Sequence, residues 1–196
     1  MDFFASRILR DLRPPGFADV EAQEVRHPPA MWAQLTDFYR HGGCIERVEV
    51  AFSAATGQPG LIRFFHPPAP AACTHATFGS LAHELGHALL FPPQWQPAAS
   101  FADAQAYARS RELGEAHAWL NQYRLCRAKV GGAPESSQVQ WIENDEDFGT
   151  RPVDLFARIA EREAAGWGEA RILDELAVLN ANMFPSGMGE GNFKTY

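Results

Sequence analysis

In the stretch GSLAHELGHALLF, residues 79–91, two histidines stand four apart and a glutamate directly follows the first. On an α-helix, positions i and i+4 share a face and lie about 6 Å apart along the axis, so His83 and His87 can aim both imidazoles at one ion. Glu84 is turned by about 100° from His83, which suits it to another task. It can lean over a water held on the open position of the ion. Zinc lowers the pKa of such a water from about 15.7 toward about 7, and a carboxylate beside it can take the proton and pass it to a leaving amine. Leu81, Ala82, Leu85, Ala88, Leu89 and Leu90 make the same helix strongly apolar. Two histidines and a glutamate are costly there unless each has a partner, which favours a metal site over a core helix with stray polar residues.

Catalytic zinc takes three protein ligands and keeps a fourth position for water, so a third ligand must come from elsewhere in the chain. Glu115, in RELGEAHAW and 28 residues beyond His87, is the best candidate. Its helix is long enough to pack across the HELGH helix. Glu112, one turn earlier, is a rival that reads otherwise as a surface charge or a group supporting the ligand.

Several elements must position these residues. MDFFASRILRDLRPPGF reads as a short amphipathic helix ended by Pro14 and Pro15, and HPPAMWAQLTDFYRHGG as a second, from Pro29 to the Gly42-Gly43 pair, with Trp32, Leu35, Phe38 and Tyr39 on its apolar face. CIERVEVAF alternates, with Val48, Val50 and Phe52 on one side and Arg47 and Glu49 on the other, the pattern of a half-buried strand. AATGQPG is expected to turn the chain and LIRFFH to return as the second strand of a hairpin that forms one edge of the cleft. Pro92 and Pro93 stop the HELGH helix. Ser100 with Asp103 resembles a capping box for one long helix running to Gly131, and two helices around 152–164 and 167–182 flank Gly166. ENDEDFGTRP reads as a solvated acidic loop without the spacing of a calcium loop, and MFPSGMGEGNFKTY as an irregular tail.

The 196 residues suit one domain, 1–196, able to bury a sizeable core. A hydrophobic fraction of 46% indicates a globular protein, and a formal charge of −7 argues against a nucleic-acid surface. Cys44, Cys73 and Cys126 cannot all pair internally and form no C-x-x-C cluster, so a disulfide scaffold is not expected. Charges at Asp2, Arg7, Arg10 and Asp11 interrupt the N-terminal apolar residues, unlike a secretory signal, and no apolar run approaches the roughly 20 residues of a membrane span. The expectation is a monomer without membrane insertion, cytoplasmic or exported by a route the sequence does not display.

HELGHALL together with Glu115-Ala116-His117-Ala118-Trp119 resembles the gluzincin metallopeptidases, above all the compact, mostly helical bacterial ones of the ImmA/IrrE type. These pair an HELGH helix with a later helix containing Glu-Ala. The likeness rests on residues between Gly79 and Trp119, and His117 stands where such relatives often carry Asn. It implies an α+β, zincin-like fold: mostly helical, with a small antiparallel sheet or hairpin before the HELGH helix. It also implies Zn²⁺ held by His83, His87 and Glu115, Glu84 as general base, and hydrolysis of a peptide or protein substrate. The setting would be a bacterial effector or toxin, or an intracellular regulatory peptidase. A non-catalytic binding module with structural zinc is the alternative. Asp154 in RPVDLFAR is a second rival ligand, because it resembles the E-x-F-A helix of some toxin-like zincins, with Asp in place of Glu. In its own right it opens a helix, where the dipole favours an acid.

His66 and His75 flank the motif and read as surface or core histidines before cleft residues. Tyr107, His117 and Tyr123 lie on the long helix, where one of them could meet an oxyanion, although packing is the simpler role. Cys73 has no placed base and is not a credible nucleophile.

Overall fold

A computed structural model describes residues 3–12, 25–50, 54–66, 76–132 and 154–183. Six α-helices and a three-stranded sheet are found among them. α1 (Phe3–Asp11) buries Ile8, and Leu12 beyond its end, against α2 (Pro29–Arg40), and the Tyr39 hydroxyl donates to Asp11 Oδ2 at 3.1 Å. Pro29 opens α2 with its φ already helical, and Met31, Leu35, Phe38 and Tyr39 are its buried residues. Met31 takes the core position expected of Trp32, which is half-buried and carries Arg26 over its ring.

The sheet consists of β1 (Cys44–Glu49), β2 (Ala54–Gln58) and β3 (Leu61–His66), in the order β1-β3-β2. β2 and β3 form the hairpin, joined at Pro59-Gly60 with Gly60 at φ +77° and paired antiparallel from Gln58↔Leu61 to Ala54↔Phe65. β1 pairs parallel to β3, from Cys44↔Leu61 to Glu49↔His66, so the sheet is mixed and the expected antiparallel sheet is corrected. The reason lies in AATGQ. Apart from Thr56 its residues are weak strand formers and read as a turn, but pairing with β3 draws them into a strand, and the extra reversal leaves β1 and β3 pointing the same way.

Two further expectations change with this topology. β3 has neighbours on both sides, so LIRFFH is the central strand rather than a cleft edge, with Ile62 and Phe64 buried. The edge lying against the HELGH helix is β2. In β1 the buried residue is Ile45, on the same side as Arg47 and Glu49, whereas Val48 and Val50 are half-buried and Phe52 lies outside the described residues. Ile45 joins the cluster that α1 and α2 build, and that packing outweighs the alternation of the valines.

α3 (Ala76–Leu89) carries the HELGH motif and gives Phe78, Leu81, Ala82 and Leu85 to the core. The chain then makes two short 3₁₀ turns, Pro92–Trp95 and Ala98–Ser100, before α4 (Ala104–Val130). Asp103 is the N-cap of α4: its carboxylate accepts from the Ala106 N–H at 2.7 Å. Ser100, expected to share in a capping box, ends the preceding turn instead, because a charged acceptor at 103 meets both the free N–H groups and the dipole. α4 shows no single apolar stripe. Ala116, Ala118, Trp119, Leu120, Asn121, Gln122, Tyr123, Leu125 and Cys126 are all buried, as befits a helix covered from several sides. α5 (Leu155–Ala164) and α6 (Glu169–Met183) pack against it, and their buried residues join those of α1 to α4, β1 and β3 in one core cluster. Among the described residues, no helix is long and apolar enough to cross a membrane.

Candidate metal centre

The centre lies where α3 crosses α4. A Cβ on Gly86 would stand 2.6 Å from Ala118 Cα, so only glycine permits this approach, and Ala82 and Ala116 beside it are fully buried. His83 and His87 flank Gly86 on α3, and Glu115 lies one turn before Ala118 on α4. Bringing the backbones together at Gly86 and Ala118 therefore brings the three side chains together. Asn121 ties the crossing by donating to the Ala82 carbonyl at 2.7 Å, while exchanging hydrogen bonds with Gln34 of α2.

His83 Nε2 and His87 Nε2 are 3.1 Å apart, and Glu115 Oε2 lies 3.5 Å from the first and 3.4 Å from the second. Zinc–nitrogen and zinc–oxygen bonds of about 2.0–2.1 Å in a tetrahedron separate the donors by roughly 3.3–3.4 Å. The donor triangle fits such an ion. Among the described residues, these three form the group of His, Cys, Asp and Glu ligand atoms able to hold a metal. Both histidines are largely buried, whereas the Glu115 side chain keeps 38% exposure.

His87 owes its orientation to the turn after α3. Pro92 and Pro93 end the helix and leave its last carbonyls without helical partners, and two side chains of that turn supply them. Gln94 Nε2 and Trp95 Nε1 both donate to the His87 carbonyl, at 2.9 and 3.0 Å. With its amide N–H committed there, Gln94 presents Oε1 to His87 Nδ1 at 3.0 Å. Nδ1 must donate to that oxygen, so in the neutral ring the proton sits on Nδ1 and the Nε2 lone pair faces Glu115 and His83. Gln94 is fully enclosed, fitted over Gly114, and Arg111 holds its backbone carbonyl at 2.9 Å. Sequence reasoning took FPPQWQP only as a stop; a Gln and a Trp directly after two prolines, near unpaired helix carbonyls, were the available signal.

His83 is placed differently. Its Nδ1 is buried and has no hydrogen-bond partner among the described residues, while its ring meets the Trp119 ring at 4.6 Å between centroids and 69° between planes.

Glu84 stands outside the donor group, against the sheet, near enough to feel the charges of both histidines and Glu115. It is 6% exposed and accepts a hydrogen bond from the Gly57 N–H of β2. A Cβ at Gly57 would overlap the Glu84 carbonyl, so glycine is needed for β2 to lie this close. Burial pushes the Glu84 carboxyl above the usual range and Glu115 adds to the shift, while the two histidines and the Gly57 N–H oppose it. Burial alone would lower His87, but the Glu115 carboxylate, with help from Glu84 and Gln94, raises it to about 9. Glu115 is held well below the carboxylate range: burial works to raise it and is outweighed by the charge of His87 and hydrogen bonds from both histidines. A cation entering this triangle competes with the His87 proton, so its binding releases a proton.

The remaining candidates take other places. Glu112 accepts from Asn180 Nδ2 at 2.7 Å and is not among the three. Asp154 caps α5, accepting from the Ala157 N–H at 3.0 Å. His117 stacks on Phe91 with centroids 5.0 Å apart, and Tyr107 meets Phe101 edge to face. Tyr123 is buried against Phe156 under Arg127. These are packing contacts. The Cys126 thiol is buried, and its pKa is pushed up to about 11 by that burial. His75, Cys73 and the His66 side chain lie outside the described residues. No protein-family model, no curated protein and no solved structure matches this chain.

Proposed function

We propose that the protein is a zinc-dependent peptidase of the gluzincin kind, with His83, His87 and Glu115 as the ligands and Glu84 as the general base. The observation that carries this reading is the pairing of a three-donor set with a separate buried carboxylate next along the same helix. Among the described residues no fourth donor joins the three, and a structural zinc would call for one. A bound zinc would supply Lewis acidity, lowering the pKa of water and polarising a carbonyl. Glu84 takes a proton from the attacking water and gives it to the amine that leaves. Its raised pKa suits that exchange, because a base nearer neutrality both accepts and returns a proton readily. The Gly57 N–H holds the carboxylate in place between these two steps. Gln94 keeps His87 in the ligating tautomer.

Zinc content and peptide hydrolysis, measured side by side in four variants, test the roles. Glu84→Gln is expected to keep zinc and lose turnover by roughly 10²-fold or more, because an amide accepts no proton. Glu115→Gln is expected to lose zinc affinity. Glu112→Gln and Asp154→Asn are expected to keep both, with Asp154→Asn changing stability little because Asn caps a helix about as well as Asp. Normal hydrolysis by Glu84→Gln would refute the mechanism, and zinc lost from Asp154→Asn but kept by Glu115→Gln would refute the ligand set.

A further inference from the structure

We propose that Asn180, near the end of α6, is a positioning residue for His83, acting through Trp119. This deepens the metal-site reading and rests on it. Asn180 is 4% exposed and bridges two residues of α4: its Oδ1 accepts from Trp119 Nε1 at 3.2 Å, and its Nδ2 donates to Glu112 Oε2 at 2.7 Å. An indole N–H can only donate and a carboxylate can only accept, so the amide has one orientation that satisfies both. The bridge fixes the Trp119 ring, whose face and edge set the space open to the His83 ring 4.6 Å away.

That space matters because, beyond the contacts of its Nε2 with His87 and Glu115, the His83 ring has no hydrogen bond among the described residues to set its last torsion. A histidine ring turns in a broad, roughly two-fold χ2 well, and a hydrogen bond at the nitrogen away from the metal normally stops it. His83 Nδ1 has no such bond among the described residues. Packing against Trp119 takes its place, and the packing depends on α6. A helix 97 residues along the chain from His83 is thereby part of the metal site.

The test is the Zn²⁺ affinity of the full chain, measured by competition with a chromophoric chelator, together with the absorption spectrum of the Co²⁺-loaded protein. Asn180→Leu is expected to weaken Zn²⁺ binding about tenfold and to change the Co²⁺ ligand-field bands. Trp119→Phe keeps a ring of similar shape but no N–H, so it is expected to weaken binding to about the same extent and guards against a folding defect in Asn180→Leu. Wild-type affinity and spectrum in either variant would overturn the proposal. The metal-free protein supplies an independent readout: the His83 ring signals in an NMR spectrum are expected to move in Asn180→Leu while those of His87 stay. If the wild-type protein takes up no Zn²⁺, the metal reading fails, and unmoved His83 signals would separately overturn the positioning role.

Discussion

His83 and His87 stand one turn apart on the same helix, yet their rings are held by unlike means. The His87 ring is fixed by the hydrogen bond it donates to Gln94, seven positions later, in a turn that also closes the end of its own helix. His83 rests on an indole from another helix. The first arrangement is local and polar, the second remote and made by packing. A local hydrogen bond needs only its own turn to be folded, whereas the packed ring needs the whole bundle. The His87 half of the site is accordingly the more self-sufficient.

Substitutions can break this comparison or sharpen it. Gly86→Val should have the largest effect, because its side chain would drive α3 and α4 apart at Ala118 and strip both histidines of their setting. Overpacking of this kind costs about 1–3 kcal/mol. Tight Zn²⁺ uptake should vanish, and denaturant unfolding with metal analysis would register both losses. Gln94→Leu should affect the His87 half alone, weakening Zn²⁺ by about 10–100-fold as an orienting partner is removed. A smaller loss than that of Asn180→Leu would reverse the ranking of the two halves.

Gly114→Ala sharpens the same contrast. A methyl group there would overlap Gln94 from its carboxamide to its Cβ, and Gln94 is enclosed and bonded to His87 through both amide atoms. Replacing a helix-interior glycine with alanine favours the helix by about 0.5–1 kcal/mol. Displacing Gln94 outweighs that gain by breaking two buried hydrogen bonds, so stability should fall, and Zn²⁺ affinity with it by up to about tenfold. A thermal melt and a chelator titration of one preparation would show whether the two fall together. The smallest effect is expected far from both halves, at the two-point contact of Arg162 with Glu175, at 2.6 Å each. Glu175→Gln should cost about 0.5–1 kcal/mol at pH 7 and leave the metal unaffected. The hydrogen bonds from Arg162 hold the Glu175 pKa down, with its charge adding to them. The stabilisation is therefore present above the unfolded carboxylate value and is lost as pH falls through the folded one. Wild type and variant should converge in unfolding experiments once the pH has fallen below the lowered Glu175 value.

What could be read from the sequence divides along the same line. The i, i+4 spacing of His83 and His87 is a property of one helix, and the stops at Pro92-Pro93 and Gly131 are properties of single residues. Those were legible. Glu115 was legible as a candidate, but Glu112 remained a rival because a one-turn offset is settled only by where α3 crosses α4. Asp154 remained one because a cap and a ligand call for the same residue type. β2 could not be foreseen, since Ala-Ala-Thr-Gly-Gln has no strand pattern of its own and is held by what pairs with it. Asn180 was hidden for a related reason. Its two partners lie 61 and 68 residues away, and an amide near the end of a helix carries no local sign of either.

The contact between Gly57 and Glu84 bears on time as well as on place. Burial is the main reason the Glu84 carboxyl stands above its ordinary pKa, and part of that cover comes from β2, the edge strand of a small sheet. Edge hairpins open more often than helical cores. Were β2 to lift, Glu84 would meet water, lose the Gly57 N–H and revert toward a common surface acid. Deuterium exchange at the Gly57 amide would then read out how often that cover opens.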